Sequence, residues 1–253
     1  MKIIKYKKGA KGLYKVDLED GTVLSLYEEV ILKYNLLLSK EVDDSIKDEM
    51  FDYNLECEVY YVALNNIKAR AKSISDLRNY LLNKEYPSNL IDKAIDKLVN
   101  QGYLNDRSYA KSFINSQMVT SSYGPLKIER ELLEKKIDHK IIEEELEVFT
   151  EEEQLNKIDK IISKMIRSNH TRGGVVLKQK IFNDLKNYGY DVSVVNKIID
   201  DYDFNDGEDN IAKKEYDKLY TKYSRKYSGA ELQRKIKEKL YLKGLKYDPK
   251  END

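Results

Sequence analysis

The sequence is poor in the residues from which catalytic and metal-binding sites are built. Its 253 residues contain one cysteine, two histidines, three prolines and no tryptophan. The single Cys57 excludes a disulfide within the chain and fits a reducing compartment. His139 and His170 lie in different parts of the chain and do not, with Cys57, supply the four clustered ligands of a structural zinc site. We therefore expect neither a metal nor a cofactor.

Catalytic motifs are missing as well. Arg172-Gly173-Gly174 lacks the Gly-Lys-Ser/Thr ending of a nucleotide-binding P-loop. The run Glu143 to Glu145 could provide paired carboxylates, but a solvated helix face is the favoured interpretation. No serine or cysteine stands in a nucleophile motif. The sequence predicts a protein that is not an enzyme.

Long apolar runs are absent too. No stretch approaches the roughly 20 apolar residues that span a bilayer. The first residues, Met1 to Lys11, are basic and are not followed by the apolar core of a signal peptide. These features predict a soluble protein in the cytoplasm, with no membrane and no small-molecule substrate as its partner.

Charge is abundant but unevenly distributed. The formal net charge is zero, with 45 basic and 45 acidic residues. Residues 63–137 contain 13 Lys/Arg against 8 Asp/Glu, residues 212–247 contain 12 against 4, and residues 141–153 contain seven glutamates and no basic residue. Such an uneven charge distribution indicates interaction partners rather than a particular fold. Solvated helix faces are the alternative explanation for each zone.

An apolar pattern recurs along most of the chain. Its spacings of 4, 5, 5, 4 and 3 residues occur three times and begin a fourth time. The members are Leu77, Leu81, Tyr86, Ile91, Ile95 and Leu98; Ile128, Leu132, Ile137, Ile142, Leu146 and Phe149; Ile181, Leu185, Tyr190, Val195, Ile199 and Tyr202; and Ile236, Leu240 and Leu245. Repetition in register is the signature of a repeat architecture. Because a three-helix unit of this size buries little alone, we expect the units to stack into an elongated, curved, mainly α-helical body.

The organisation of the chain follows from this register. Residues 1–55 differ from the rest: Asp20-Gly21 predicts a hairpin, Ile3 to Lys7 another strand, and Leu26 to Leu38 a helix. We therefore predict an N-terminal αβ appendage at 1–55, three-helix repeats at 56–104, 105–149 and 150–204, and a partial repeat at 205–253.

Several tyrosines could stack on bases or anchor a protein partner, with core packing as the alternative. They are Tyr60, Tyr61, Tyr80, Tyr103 and Tyr109.

Several segments resemble the RecX family, the regulators of recombination. Ser75-Ile-Ser-Asp-Leu, Leu81-Leu-Asn-Lys-Glu-Tyr and Gly102-Tyr-Leu-Asn-Asp resemble the first repeat of that family. Tyr109-Ala-Lys-Ser-Phe and Gly124-Pro-Leu-Lys-Ile are similar to its second repeat. The similarity covers about residues 56–204, and the N-terminal extension resembles long members from low-GC Gram-positive bacteria.

The resemblance implies a non-enzymatic modulator of the RecA recombinase. RecX proteins lie along the groove of the RecA–DNA filament and limit its extension, ATP hydrolysis and strand exchange. Many relatives carry several arginines where this chain has Asn115 to Tyr123, so the contact is expected elsewhere. The candidates are Arg70, Lys72, Arg78, Lys84, Arg107, Lys111, Lys127 and Arg130, with Arg225, Lys226, Arg234, Lys235, Lys237 and Lys239 as a second group. Direct DNA binding through basic helix faces, or a scaffold for another partner, remain alternatives.

Overall fold

The computed structural model describes residues 1–10 and 12–247. It divides into two compact units: unit 1 is Met1–Ala110 with Lys135–Asp138, and unit 2 is Lys111–Glu134 with His139–Asp253. Most of the described chain is helical, and a small antiparallel sheet stands at the beginning of unit 1. The predicted mainly α class with a small β-containing appendage is therefore confirmed.

The sheet contains the predicted hairpin and the additional strand. Strands β1 (Ile3–Lys8), β2 (Leu13–Leu18) and β3 (Val23–Tyr27) pair in the order β1-β2-β3. Gly21 adopts a φ of 85° between β2 and β3, a conformation that favours glycine. One face of the sheet buries Val16, Leu18 and Leu26 in the core of the appendage.

The predicted helix from Leu26 to Leu38 is wrong in its limits. Strand β3 extends to Tyr27, and the helical residues form two short pieces, α1 (Glu28–Lys33) and α2 (Leu36–Ser39). They are separated at Asn35, whose φ of 52° is left-handed and cannot continue a right-handed helix. A 3₁₀ turn at Asp44–Ile46 then leads into the first long helix.

The first long helix joins the appendage to the first repeat. Helix α3 (Lys47–Ala69) crosses residue 55, which was the predicted boundary between the two. The side-chain amide of Asn54 accepts a hydrogen bond from Tyr27 N at 3.0 Å and donates one to Ser25 O at 3.1 Å, so it pairs with the edge of β3. The sheet is therefore fastened to a helix whose other end belongs to the repeat.

The remaining helices follow the predicted order of three per repeat. The first repeat continues with α4 (Ile74–Leu82) and α5 (Ser88–Asn100); the second has α6 (Asp106–Thr120), α7 (Pro125–Glu134) and α8 (His139–Leu146); the third has α9 (Glu151–Arg167), α10 (Gly174–Asn187) and α11 (Val192–Ile199). The partial fourth repeat has α12 (Glu208–Tyr223) and α13 (Gly229–Leu242).

The recurring apolar positions form the cores of the repeats. All are buried except Tyr86, Leu146 and Tyr202, which are half-buried. The hydroxyl of Tyr86 donates a hydrogen bond to Glu58 at 2.7 Å, and that of Tyr202 donates one to Asp159. Tyr60 and Tyr61, which were candidates for stacking on bases, instead pack within the fold, since Tyr61 stacks on Tyr27 with ring centroids 4.9 Å apart. Core packing, the alternative to stacking on bases, therefore describes Tyr60 and Tyr61.

The same backbone turn ends the second helix of every repeat. The residue before the third apolar position is left-handed in each case, with φ of 62° at Glu85, 59° at Lys136, 86° at Gly189 and 73° at Gly244. In three repeats the next amide bonds back to the helix, as in Tyr190 N to Leu185 O at 3.2 Å. This is the hydrogen bond of a Schellman motif, which satisfies carbonyls at the helix end.

Neighbouring repeats of unit 2 meet where such a turn approaches the start of the preceding second helix. Gly124 N donates to Tyr188 O at 2.7 Å, and Gly173 N donates to Lys243 O at 2.8 Å. A Cβ placed on Gly189 would lie 2.4 Å from the backbone nitrogen of Lys127, so the two backbones are in direct contact. Glycine at these junctions permits a backbone-to-backbone approach that no other residue allows.

Cys57 provides a test of how tightly α3 is held in unit 1. Its side chain is buried, and burial raises the pKa of the thiol to about 11. Because the thiolate is the reactive form, we expect a thiol reagent at pH 8 to modify the folded chain at least a hundredfold more slowly than the chain in denaturant. Reagent uptake followed by mass spectrometry measures both rates. Complete labelling of the folded chain at the denatured rate would show that α3 is not stably packed.

Candidate functional site

A polar cleft in unit 1 brings together several of the predicted residues. It has a volume of about 380 Å³ and lies beside the first turns of α4. The lining residues are Arg70, Ala71, Lys72, Asp76, Asn79, Tyr80, Asn83, Tyr109 and Lys135. Arg70 and Lys72 were predicted as partner-binding residues, and Tyr80 and Tyr109 as aromatic contacts. Lys135, Asn79 and Asn83 were not singled out.

The cleft is shaped by the connection between α3 and α4. Helix α3 ends at Ala69, and Arg70 has an extended backbone. Ser73 is fully buried and caps α4, because its Oγ accepts a hydrogen bond from Asp76 N at 3.0 Å. A carboxylate oxygen of Asp106 accepts a second one from Ile74 N at 2.8 Å. Two of the free amides at the start of α4 are thus occupied by side chains of the protein, which fixes the segment carrying Arg70 and Lys72.

The charges of the cleft are only partly balanced. Lys135 Nζ lies 2.8 Å from a carboxylate oxygen of Asp76, and this hydrogen bond raises the pKa of Lys135. Burial raises the pKa of Asp106 above its usual value. In the part of the chain that the structure describes, Arg70 and Lys72 have no ion-pair partner. The cleft therefore offers two uncompensated positive charges to a partner.

Aromatic rings border these charges. Tyr80 and Tyr109 line the cleft, and both are half-buried. Lys84 Nζ, another predicted residue, lies 5.4 Å from the centre of the Tyr80 ring, which places Lys84 at the end of α4 beside the cleft. A cation held near a ring and two further cations form a surface suited to carboxylate or phosphate groups.

Two other predicted residues of unit 1 lie outside the cleft lining. Arg78 points toward α5 and forms an ion pair with Asp92 at 2.5 Å, so part of its charge is already neutralised. Arg107 is exposed in the first turn of α6. The cleft lining thus includes Arg70 and Lys72 but neither of these two residues.

Unit 2 carries the last three predicted residues. Lys111 is exposed on α6, and Lys127 and Arg130 share a face of α7, as their spacing predicts. Lys127 Nζ lies 3.8 Å from the centre of the Tyr123 ring. These residues belong to a different unit from the cleft.

The partial fourth repeat is a second basic surface within unit 2. Its α12 exposes Lys213, Lys214, Lys218 and Lys222, and Arg225, Lys226, Arg234 and Lys237 are also exposed. Tyr220 and Tyr241 are 47% and 77% exposed there. Basic side chains with exposed aromatic rings are the composition of a nucleic-acid-binding surface.

Residues 1–10 and 12–247 contain neither a candidate metal site nor a candidate membrane-spanning helix. No group of three or more His, Cys, Asp or Glu side chains in these residues could hold a metal ion. No helix among them combines the length and apolar character needed to cross a membrane.

The amino-acid sequence is similar to those of RecX proteins. Residues 105–146 match RecX, second three-helix domain. The chain is 32% identical over 249 residues to the regulatory protein RecX of Lactococcus lactis subsp. cremoris strain SK11, covering 95% of this chain and 93% of the relative. It is 30% identical over 251 residues to the regulatory protein RecX of Streptococcus gordonii, covering 98% and 96%.

The structure is also similar to two solved structures of RecX proteins. A crystal structure of regulatory protein RecX aligns with a TM-score of 0.67 and 25% identity, covering 79% of this chain and 99% of that chain. A crystal structure of RecX from Lactobacillus salivarius aligns with a TM-score of 0.55 and 25% identity, covering 59% and 97%. Both named relatives, and the first of the two structures, are described as regulatory proteins.

Proposed function

The chain belongs to the RecX family of regulatory proteins, and on that basis we propose that it regulates homologous recombination and DNA repair by binding the RecA–DNA filament. The expected effect is inhibition of filament extension, ATP hydrolysis and strand exchange without any catalysis by this chain. The observation that carries the proposal is the cleft beside α4, where Arg70 and Lys72 are held in place but lack ion-pair partners among the described residues. A cytoplasmic location follows from this role.

The architecture supports a binding role over a catalytic one. The first repeat and the partial fourth repeat each bury apolar side chains in a core, which leaves the charged faces of their helices for contact. The cleft is lined mainly by polar side chains, whereas small-molecule sites are mostly apolar cavities. Positive side chains on a fixed scaffold suit recognition of carboxylates on a protein or phosphates on DNA.

We expect an Arg70→Gln/Lys72→Gln variant to need about tenfold more protein for half-maximal inhibition of RecA, because two charge contacts worth about 1.4 kcal/mol together would be lost. The measurement is DNA-stimulated ATP hydrolysis by the cognate RecA, titrated with this protein at two salt concentrations. Inhibition well below one protein per recombinase subunit indicates capping of filament ends. Inhibition only near parity indicates binding along the groove.

A matched control is Lys33→Gln/Lys93→Gln, which removes the same charge from a different surface of unit 1. It should inhibit like the parent. Unchanged inhibition by the Arg70/Lys72 variant would show that the cleft is not the contact surface. A folded parent protein without effect at either salt concentration would overturn the proposed function itself.

A second candidate function is direct DNA binding through the basic partial repeat. The exposed cations of α12, together with Tyr220 and Tyr241, favour it. Phosphate-driven binding weakens steeply as salt rises, because bound counterions are released. A DNA affinity that does not change with salt would exclude this as the main activity.

A further inference from the structure

The N-terminal sheet presents a face that the cleft and the basic helices do not involve. Alternation along the strands places Lys5 and Lys7 of β1 and Lys15 of β2 on the side opposite to the buried Val16 and Leu18. All three lysines are exposed. We call this surface, with Asp17 of β2 and Val23 and Ser25 of β3, the lysine face.

The lysine face has a charge arrangement that weakens the sheet. Lys7 and Lys15 are direct cross-strand partners in the β1–β2 register, and like charges at such positions are destabilising. Lys5, by contrast, lies opposite Asp17, which can offset its charge. Within the described residues, neither Lys7 nor Lys15 has an ion-pair partner. Residues 1–16 contain six lysines and no acidic residue, so the carboxylate nearest in sequence to both lysines is that of Asp17, which already faces Lys5.

An anion seated between the two lysines would remove this repulsion. Cβ atoms of direct cross-strand partners are about 5 Å apart, so both ammonium groups can converge on one phosphate group. Lysine is a compact, strongly hydrated point charge with three donors, and it serves as a phosphate ligand without demanding a particular base sequence. The hydroxyl of Ser25, next to Lys15 in the β2–β3 register, can add a neutral donor.

The composition of the lysine face favours nucleic acid over protein. Strong protein contacts are concentrated on Trp, Tyr and Arg, and the exposed described residues of this face include none of them. From this we infer that the lysine face of the N-terminal sheet binds the phosphate backbone of a nucleic acid strand, with Lys7 and Lys15 as its central pair. This contact does not depend on the proposed action on RecA, and the two have separate readouts.

The first test is binding of the full chain to a fluorescently labelled single-stranded DNA of mixed sequence, measured by anisotropy over a range of salt. A Lys7→Gln/Lys15→Gln variant should bind roughly tenfold more weakly, and the slope of log affinity against log salt should fall by about 1.4, because two phosphate contacts are lost. The control Lys160→Gln/Lys164→Gln removes equal charge from exposed positions of α9 and should leave both values unchanged.

A charge reversal separates binding from stability. Lys7→Glu places opposite charges across β1 and β2, so the midpoint of thermal unfolding should stay the same or rise while DNA affinity falls. Unchanged DNA affinity and salt slope in both lysine variants would overturn the inference. It would also be overturned if a polyglutamate peptide bound the parent chain as tightly as DNA and lost that binding in the same variants, since the face would then recognise acidic protein segments.

Discussion

Replacing Gly189 with alanine is expected to lower the free energy of unfolding of unit 2 by about 3 to 4 kcal/mol, which is large for a single methyl group. Part of the cost is the φ of 86°, which an L side chain adopts only at about 1 to 2 kcal/mol. The rest comes from contact, since the new Cβ would lie 2.4 Å from Lys127 N and 2.6 Å from Lys127 Cβ. The backbone of α7 would have to move away.

Gly229→Ala is the matched control for this prediction. Gly229 lies in the same unit and also has a positive φ, of 55°, but no atom lies within 4 Å of its added Cβ. The Gly229→Ala substitution should lower the free energy of unfolding only by the conformational contribution, about 1 to 2 kcal/mol. Denaturant unfolding gives the total effect, and hydrogen exchange at the Gly124 and Leu126 amides, which bond to Tyr188 O and Gly189 O, gives the effect at the junction. Equal losses in both variants would show that the junction relaxes without cost.

The turn at Gly189 illustrates what the sequence could and could not predict. The apolar spacing gave the helices, their order and the buried positions, because the period reports directly which residues face a core. It did not distinguish Glu85 and Lys136 from Gly189 and Gly244, although all four are left-handed residues of the same register. The difference depends on what packs against the turn: Lys127 for Gly189 and Val176 for Gly244. Such long-range packing leaves no local pattern.

The residues of the candidate site were also predictable only in part. The basic character of residues 63–137 indicated Arg70 and Lys72, and the structure places both in one cleft. Lys135 was missed because it lies 59 positions from Asp76, its hydrogen-bond partner, and reaches α4 only through the fold. Conversely, the ion pair of Arg78 with Asp92 shows that a half-buried basic residue on α4, next to the cleft, can already have a partner.

The N-terminal appendage shows that apolar spacing alone does not determine where an element begins and ends. Apolar spacing predicted one helix over Leu26 to Leu38, with Val30, Ile31, Tyr34, Leu37 and Leu38 on one face. Val30 and Ile31 are buried in the structure, but Leu37 and Leu38 are exposed, because β3 pairs through Tyr27 and the chain turns at Asn35. The apolar positions were therefore right only in the first part of the segment, where a sheet partner determined where the helix could begin.

Loss of the ion pair between Glu215 and Lys243 is the second large effect that we expect. The side chain of Glu215 is 5% exposed, and its carboxylate contacts the ammonium group of Lys243 across α12 and the end of α13. Lys243→Met should lower the free energy of unfolding of unit 2 by about 2 to 4 kcal/mol, because it leaves a buried carboxylate without its main partner. The exposed Lys218, 3.8 Å from the same carboxylate, cannot replace it fully.

The cost should arise from the stranded charge rather than from any special strength of the pair. A Glu215→Leu/Lys243→Met double variant should therefore recover most of the loss, since well-packed apolar groups often replace a buried ion pair without penalty. Lys218→Met is the control and should change stability by less than about 1 kcal/mol. Because Lys243 O also accepts the hydrogen bond of Gly173 N, exchange at the Gly173 amide should rise in Lys243→Met and return toward the parent rate in the double variant. If Lys243→Met costs no more than Lys218→Met, the ion pair adds nothing to stability, and α12 and α13 are held together by their apolar core.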